Sequence, residues 1–377
     1  IHNNNKQRIN IMKNFSITKI STLILIYSSF ATADHHMSHK HDHQIKYISY
    51  SQIGNPADVL EVKTESPRVL KDGEVRVKVL AAPINPSDIL QIAGQYGVDA
   101  VLPARPGSEG VGRVAEVSSG VKSLKVGQLV LLASGNTWAE ELVAPAAGFL
   151  PLPNLGPIGA DVIEQLAMSA VNPLTALLML TSFEDIEEGQ WIAQSAANSA
   201  VGGYVIQLAK QRGIKTVNIV RREGLADDLM AKGADVVLID GPDLAKQIAD
   251  ATNNAPIILA LDPVGGDTYG RLADSLGYGG TLVTYGVLSG KPATLNTGQV
   301  IFNDTRLRGF WLYKWYQTAT MQEKQDAFGQ VIPLIANGTL KANIDSRFTV
   351  DQIEQAVTRA WEGGRNGKVL IVPSPLE

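Results

Sequence analysis

No cysteine occurs anywhere in the 377 residues, so the chain can form no disulfide, hold no zinc through thiolates and use no cysteine nucleophile. Histidine is nearly as scarce. His2, His35, His36, His39, His41 and His43 are the whole complement, so from Gln44 onward no imidazole can act as base or ligand. An excess of either charge is also missing: 33 Lys and Arg against 37 Asp and Glu give a net charge of −4, with no general attraction to nucleic acid or to an anionic membrane. No apolar run is long enough for a membrane span. What the chain does have is 45% apolar residues and 35 glycines, a globular composition with length for two domains.

The first 43 residues differ in composition from the rest and read as a leader or disordered segment. From Met12 they resemble a secretory signal, with Lys13 and Lys19, an apolar run from Ile20 to Phe30, and Ala31-Thr32-Ala33 as a cleavage site. From Met37 they open a cytosolic protein. The clustered histidines have no packed shell around them in this segment, so disorder is expected there in preference to a metal site. Residues 44–165 alternate short strands with Gly, Pro and Asp turns, as in Glu74-Val75-Arg76-Val77-Lys78-Val79-Leu80, which predicts a mostly β, barrel-like domain. Residues 166–310 change to apolar runs separated by helical stretches, the pattern of βαβ units on a parallel sheet. Strands are expected at Trp191 to Ser195, Thr216 to Val220, Asp235 to Ile239, Ile257 to Asp262 and Gly280 to Thr284. Residues 311–377 read as a helical stretch and a closing strand, Lys368 to Val372, returning to the first domain.

The first parallel strand runs into Ala196-Ala197-Asn198-Ser199-Ala200-Val201-Gly202-Gly203 and then a helix. Small residues there let backbone N–H groups approach a pyrophosphate at the helix N-terminus, although Ala197 and Ala200 replace glycines of the usual fingerprint. The second strand ends at Arg221-Arg222. An acidic residue at that place would accept from the ribose 2′-hydroxyl of NAD, whereas paired guanidiniums offer fork-shaped donors to the 2′-phosphate of NADP. The expected cofactor is therefore NADPH. An exported compartment would lack it, which favours the Met37 start and the cytoplasm. The turns Asp262-Pro263-Val264-Gly265-Gly266 and Thr284-Tyr285-Gly286-Val287-Leu288 also fall at carboxyl ends of expected strands, where ligands lie in such sheets.

Asn85-Pro86-Ser87-Asp88, Gly94-Gln95-Tyr96-Gly97, Pro106-Gly107-Ser108-Glu109-Gly110-Val111-Gly112, Asn172-Pro173-Leu174-Thr175-Ala176, Ala197-Asn198-Ser199, Val283-Thr284-Tyr285-Gly286 and Leu307-Arg308-Gly309-Phe310-Trp311 together resemble the medium-chain dehydrogenase/reductase superfamily. They are most similar to its mitochondrial-type 2-enoyl thioester reductases, over nearly all of the chain from Ile45. The resemblance implies an α/β fold, with a GroES-like β-barrel catalytic domain and a Rossmann doubly wound parallel sheet, and a homodimer. Many members hold zinc through a cysteine and a histidine. Asn85 and Ser108 stand at those places, so no metal is expected, and hydride transfer without a Lewis acid suits conjugated double bonds or quinones. The resemblance assigns catalysis to Tyr96 and Asn85, with the proton for the α-carbon coming from Tyr96 or water. It assigns cofactor contacts to Asn172, Ser199, Ala200, Val201, Gly202, Arg221, Arg222, Tyr285, Gly286, Val287, Leu288, Phe310, Trp311, Leu312, Tyr313 and Lys368. The small-molecule substrate is then a 2-enoyl thioester, reduced with NADPH. A quinone is the nearest alternative, and an NADPH-binding regulatory protein without turnover is the alternative of another class.

Overall fold

The computed structural model describes residues 44–376. The expected leader, its histidines and both candidate start methionines lie outside these residues. Strands β1 (Ile45–Ser49) and β2 (Glu61–Glu65) pair antiparallel around the one-turn helix α1 (Pro56–Val59). In β3 (Glu74–Pro83) the alternate residues Val75, Val77 and Val79 are buried and Lys78 is exposed, the period of two that a half-buried strand requires. Helix α2 (Pro86–Ile92) follows, with Pro86 at its first position, and then β4 (Gly110–Val117), β5 (Leu129–Leu132), β6 (Glu141–Pro145) and β7 (Phe149–Pro151).

Helices α3 (Ala160–Ala167) and α4 (Asn172–Thr181) lead into the second half. There β8 (Trp191–Gln194), α5 (Ala200–Gln211), β9 (Lys215–Val220), α6 (Ala226–Lys232), β10 (Val236–Ile239), α7 (Leu244–Ala251), β11 (Ile257–Asp262), α8 (Gly266–Asp274), β12 (Leu276–Thr284), α9 (Thr297–Phe302) and β13 (Arg306–Gly309) alternate. The six strands are all parallel, in the order β10-β9-β8-β11-β12-β13. Chain order reverses direction at β8, and that switch point opens a crevice outside the carboxyl ends of β8 and β11. The expected α/β fold, with its Rossmann-type parallel sheet, is what the chain adopts. Among the described residues no single helix is long and apolar enough to cross a membrane; α3 and α4 reach that composition only together, across a 57° bend. Asn172 to Leu180 in α4 are all buried in the core.

Helix α10 (Leu312–Thr318) precedes α11 (Met321–Ala336), which a capping box of Thr320 and Glu323 starts. Phe328, Val331 and Ile335 of α11 share one core with Leu174, Leu177 and Leu208. Strand β14 (Ile344–Phe348), helix α12 (Ile353–Trp361) and strand β15 (Lys368–Ile371) then complete the other sheet, ordered β14-β15-β3-β4-β5-β7 with β6 beside β3. Strand β15 runs antiparallel to β3, with Leu370 opposite Pro83. Three strands differ from the sequence expectation, among them β14, which falls in the stretch read as helical. Strand β12 begins at Leu276, ahead of its glycines, and β13 was not foreseen because all four of its residues are exposed and no apolar run marks it.

Candidate active site

Four segments at the carboxyl ends of parallel strands form one wall of the crevice. After β8, Ser199 caps α5 by accepting the Gly202 N–H at 3.1 Å, and a Cβ on Gly202 would stand 2.5 Å from the Ala197 carbonyl oxygen. Only glycine permits so close an approach of turn and helix, the role of the last glycine in a phosphate-binding turn. After β9, Arg221 and Arg222 are exposed, and among the described residues neither guanidinium has a hydrogen bond or ion pair. They lie beside Gly363 and Gly364 in the loop after α12. After β11, Asp262 is fully buried and accepts the Gly265 N–H at 2.7 Å and the Ser195 hydroxyl. After β12, Tyr285 carries a buried hydroxyl beside Ser199, and burial pushes that phenol well above its ordinary value, against the Ser199 contact. Val287 and Leu288, with Trp311 and Tyr313 beyond β13, leave four large apolar side chains on the surface of this edge, while Phe310 and Leu312 pack onto the core. A close-packed turn at a helix N-terminus, free guanidiniums one strand away and an apolar rim suit a phosphorylated dinucleotide.

A buried polar chain joins β15, α2 and the start of α4. Lys368, at the start of β15, donates from Nζ to Oδ1 of Asn85, which also accepts Asn172 Nδ2 at 3.1 Å. The other end of the Asn85 amide donates to Glu109 Oε1 at 2.8 Å, and Glu109 Oε2 accepts the Ala170 and Val171 N–H groups at 2.9 and 2.8 Å. Burial pushes the Glu109 carboxyl up and the Lys368 ammonium down, and each opposes the other's shift by its charge. Beside them Asp88 accepts the Asn85 N–H at 2.8 Å; burial pushes its carboxyl up to about 6, against that N–H and the nearby Lys368 charge.

Tyr96 sits on the loop after α2, against Trp311, with ring centroids 5.7 Å apart in an edge-to-face arrangement. The indole N–H donates to the phenol oxygen at 2.8 Å. One lone pair is thereby occupied and the phenolic O–H remains available to donate elsewhere. Burial pushes Tyr96 above 10, so it is a neutral acid in the physiological range.

Residues 71–154 match the alcohol dehydrogenase GroES-like domain, and residues 200–335 match the zinc-binding dehydrogenase family. The mitochondrial enoyl-[acyl-carrier-protein] reductase of Rattus norvegicus is 36% identical over 338 residues, which cover 88% of this chain and 87% of that protein. The chain belongs to the medium-chain dehydrogenase/reductase superfamily. Among solved members, the complex of Etr1p with NADP and crotonyl-CoA superposes with a TM-score of 0.79 at 29% identity, over 88% of this chain and all of that one. A protein from Bacillus thuringiensis assigned as an NADPH:quinone reductase gives 0.78 at 30% identity, over 88% and 99%. Despite the zinc-binding family's name, no three His, Cys, Asp or Glu side chains converge among the described residues of this superfamily member.

Of the residues singled out from sequence, Asn85, Asn172 and Lys368 meet in direct hydrogen bonds, and Tyr96 meets Trp311. Arg221 and Arg222 stand apart from both groups, at the end of β9. Glu109 and Ser195 were given no role, and Asp262 only that of opening a turn at a strand end. The signal for Glu109 was its position between small residues, Gly107-Ser108-Glu109-Gly110, where a charged side chain enters the interior unshielded by bulky neighbours.

Asp88 makes the stability of this polar chain depend on pH. Its folded value of about 6 exceeds the ordinary 3.8, so the stabilisation it contributes while protonated is complete below about pH 4 and lost as pH rises through about 6. Asp88→Asn keeps an acceptor for the Asn85 N–H without the charge. Its melting temperature relative to wild type should climb between about pH 4 and 6 and stay level above that window. A constant difference across the window would show that Asp88 does not titrate there.

Proposed function

We propose that the chain is an NADPH-dependent reductase of 2-enoyl thioesters. The observation that carries this reading is the Tyr96–Trp311 pair, a neutral phenol whose acceptor side is engaged and whose proton is free. Bound NADPH would supply a hydride to the β-carbon of the conjugated thioester. The electron pair of the carbon–carbon double bond then moves to the α-carbon and thioester oxygen as an enolate, and Tyr96 delivers the proton that completes the saturated product. A phenol suffices as acid because an enolate is the stronger base. In this reading Arg221 and Arg222 take the 2′-phosphate, Ser199, Ala200, Val201 and Gly202 the pyrophosphate, and Tyr285, Gly286, Val287 and Leu288 with Phe310, Trp311, Leu312 and Tyr313 the nicotinamide half. Asn85, Asn172 and Lys368 border the reacting end. The names of the relatives, enoyl-[acyl-carrier-protein] reductases and an Etr1p complex with NADP and crotonyl-CoA, support the same substrate class. Quinone reduction, suggested by the Bacillus thuringiensis relative, needs no positioned carbon acid and leaves Tyr96 without a task. With NADPH as reductant, the cytoplasm is the compartment proposed.

A homodimer belongs to the same proposal. Strand β13 is bonded to β12 on one side only and ends the six-stranded sheet, while Ile301, Phe302 and Tyr278 beside it are 71%, 79% and 81% exposed. An open strand edge flanked by apolar side chains is a surface that another strand covers. A related pair, Etr1p and Etr2p of Candida tropicalis, forms a heterodimer.

Three measurements check these assignments. Tyr96→Phe should lower the rate of crotonyl-CoA reduction about a hundredfold while quinone turnover survives; equal loss of both would remove Tyr96 as the carbon acid. Replacing both Arg221 and Arg222 by Ala should raise the KM for NADPH about tenfold or more and leave the KM for NADH unchanged. In sedimentation equilibrium, Ile301→Glu with Phe302→Glu should convert a dimer to the mass of one chain, and an unchanged dimer would place the interface elsewhere.

A further inference from the structure

We infer that Glu109 is the positioning residue on which the cofactor-binding arrangement of Asn85, Asn172 and Lys368 depends. This rests on the NADPH reading above. An ammonium only donates, so the atom of Asn85 facing Lys368 must be its carbonyl oxygen, Oδ1. The other end of that amide is then an NH2, which can only donate, and it points at Glu109 Oε1. Asn172 Nδ2 approaches the same oxygen at 3.5 Å, and the second oxygen faces two backbone N–H groups. Every neighbour of this carboxylate is thus a donor, and none of its lone pairs can be exchanged for a hydrogen without setting two donors against each other. Glu109 is fully buried, so water cannot relieve such a mismatch.

The consequence reaches beyond packing. Were the group at position 109 a donor, the Asn85 amide would have to turn over, presenting NH2 to an ammonium and to the Asn172 amide. Lys368 would lose the hydrogen bond that holds it, and with it the position it takes toward a ligand. The donors to Glu109 come from the N-cap of α2, from the approach to α4 and, through Asn85, from the start of β15, so one carboxylate sets the relative placement of three separated stretches of chain. Its own backbone is fixed independently, by the Thr137 hydroxyl donating to the Glu109 carbonyl at 2.8 Å.

The test exchanges the direction of one hydrogen bond. Glu109→Gln alone should weaken NADPH binding about tenfold to a hundredfold in a fluorescence titration. Adding Asn85→Asp supplies a carboxylate that accepts from the new amide at 109, from Lys368 and from Asn172, while the amide oxygen at 109 still accepts the Ala170 and Val171 N–H groups. The double variant should therefore bind NADPH more tightly than the single one and recover the melting temperature lost in it. A single variant that binds like wild type, or a double variant that binds no better than the single, overturns the role of Glu109. If Glu109→Gln alone does not fold, a folded double variant that binds NADPH supports the proposal, and an unfolded one overturns it. Failure of the wild-type protein to bind NADPH would instead overturn the cofactor reading.

Discussion

A lysine ammonium and a glutamate carboxylate share one asparagine in the interior of this protein, and either charge would be costly there without the other. The amide between them lets the two charges stabilise each other without touching, and keeps the Lys368 ammonium from being consumed in a direct ion pair. Each member comes from a different stretch of chain, so forming the chain of bonds requires β15 on β3, α2 capped by Asn85 and the approach to α4 all in place. The polar interior specifies where these parts stand relative to one another more tightly than the apolar contacts around it, which tolerate adjustment.

The parts of the fold that could be read from sequence are those whose signal is local. Strands β9 and β11 are buried on both faces and announce themselves as apolar runs, and β3 shows a period of two. Strand β13 has no such signal, because its pairing with β12 depends on where α9 delivers the chain and all its side chains face outward. The same division holds in the site. Arg221 and Arg222 were legible because their meaning comes from following a strand in a βαβ unit. Glu109 was not, since its partners lie 24 residues before it and 61 to 63 after it, and no spacing rule connects them.

The absence of cysteine and of usable histidine redirects what this architecture can do. A fold shared with zinc-binding dehydrogenases keeps its cleft but fills the wall of it with amides, carboxylates and a lysine. These groups orient and neutralise; none is a strong Lewis acid. In the proposed reaction proton delivery falls to a phenol held by an indole 215 residues away, a bond that ties the loop after α2 to the segment after β13. Tyr96 can therefore be poised only when the two halves of the cleft are correctly disposed. Acid catalysis and cofactor placement depend on the same assembly.

That disposition is secured at the crossover between the two sheets. Gln165 on α3 exchanges two hydrogen bonds with the backbone of Ala342, and Gln207 on α5 does the same with Lys341, so each glutamine pairs with the chain as a neighbouring strand would. The next residue, Asn343, accepts the Lys368 N–H through its carbonyl, and Gly367 passes so near that a Cβ would stand 2.4 Å from that oxygen, at a φ of 134°. Two side-chain amides, one on α3 and one on α5, thereby hold the chain that fixes the backbone of Lys368, while Asn85 fixes its ammonium. A displacement of either half would strain the same lysine from one end. Lys368 is thus the point at which the two halves of the protein are held to a common geometry, and a core substitution that lets α3 or α5 shift acts on the proposed site through it.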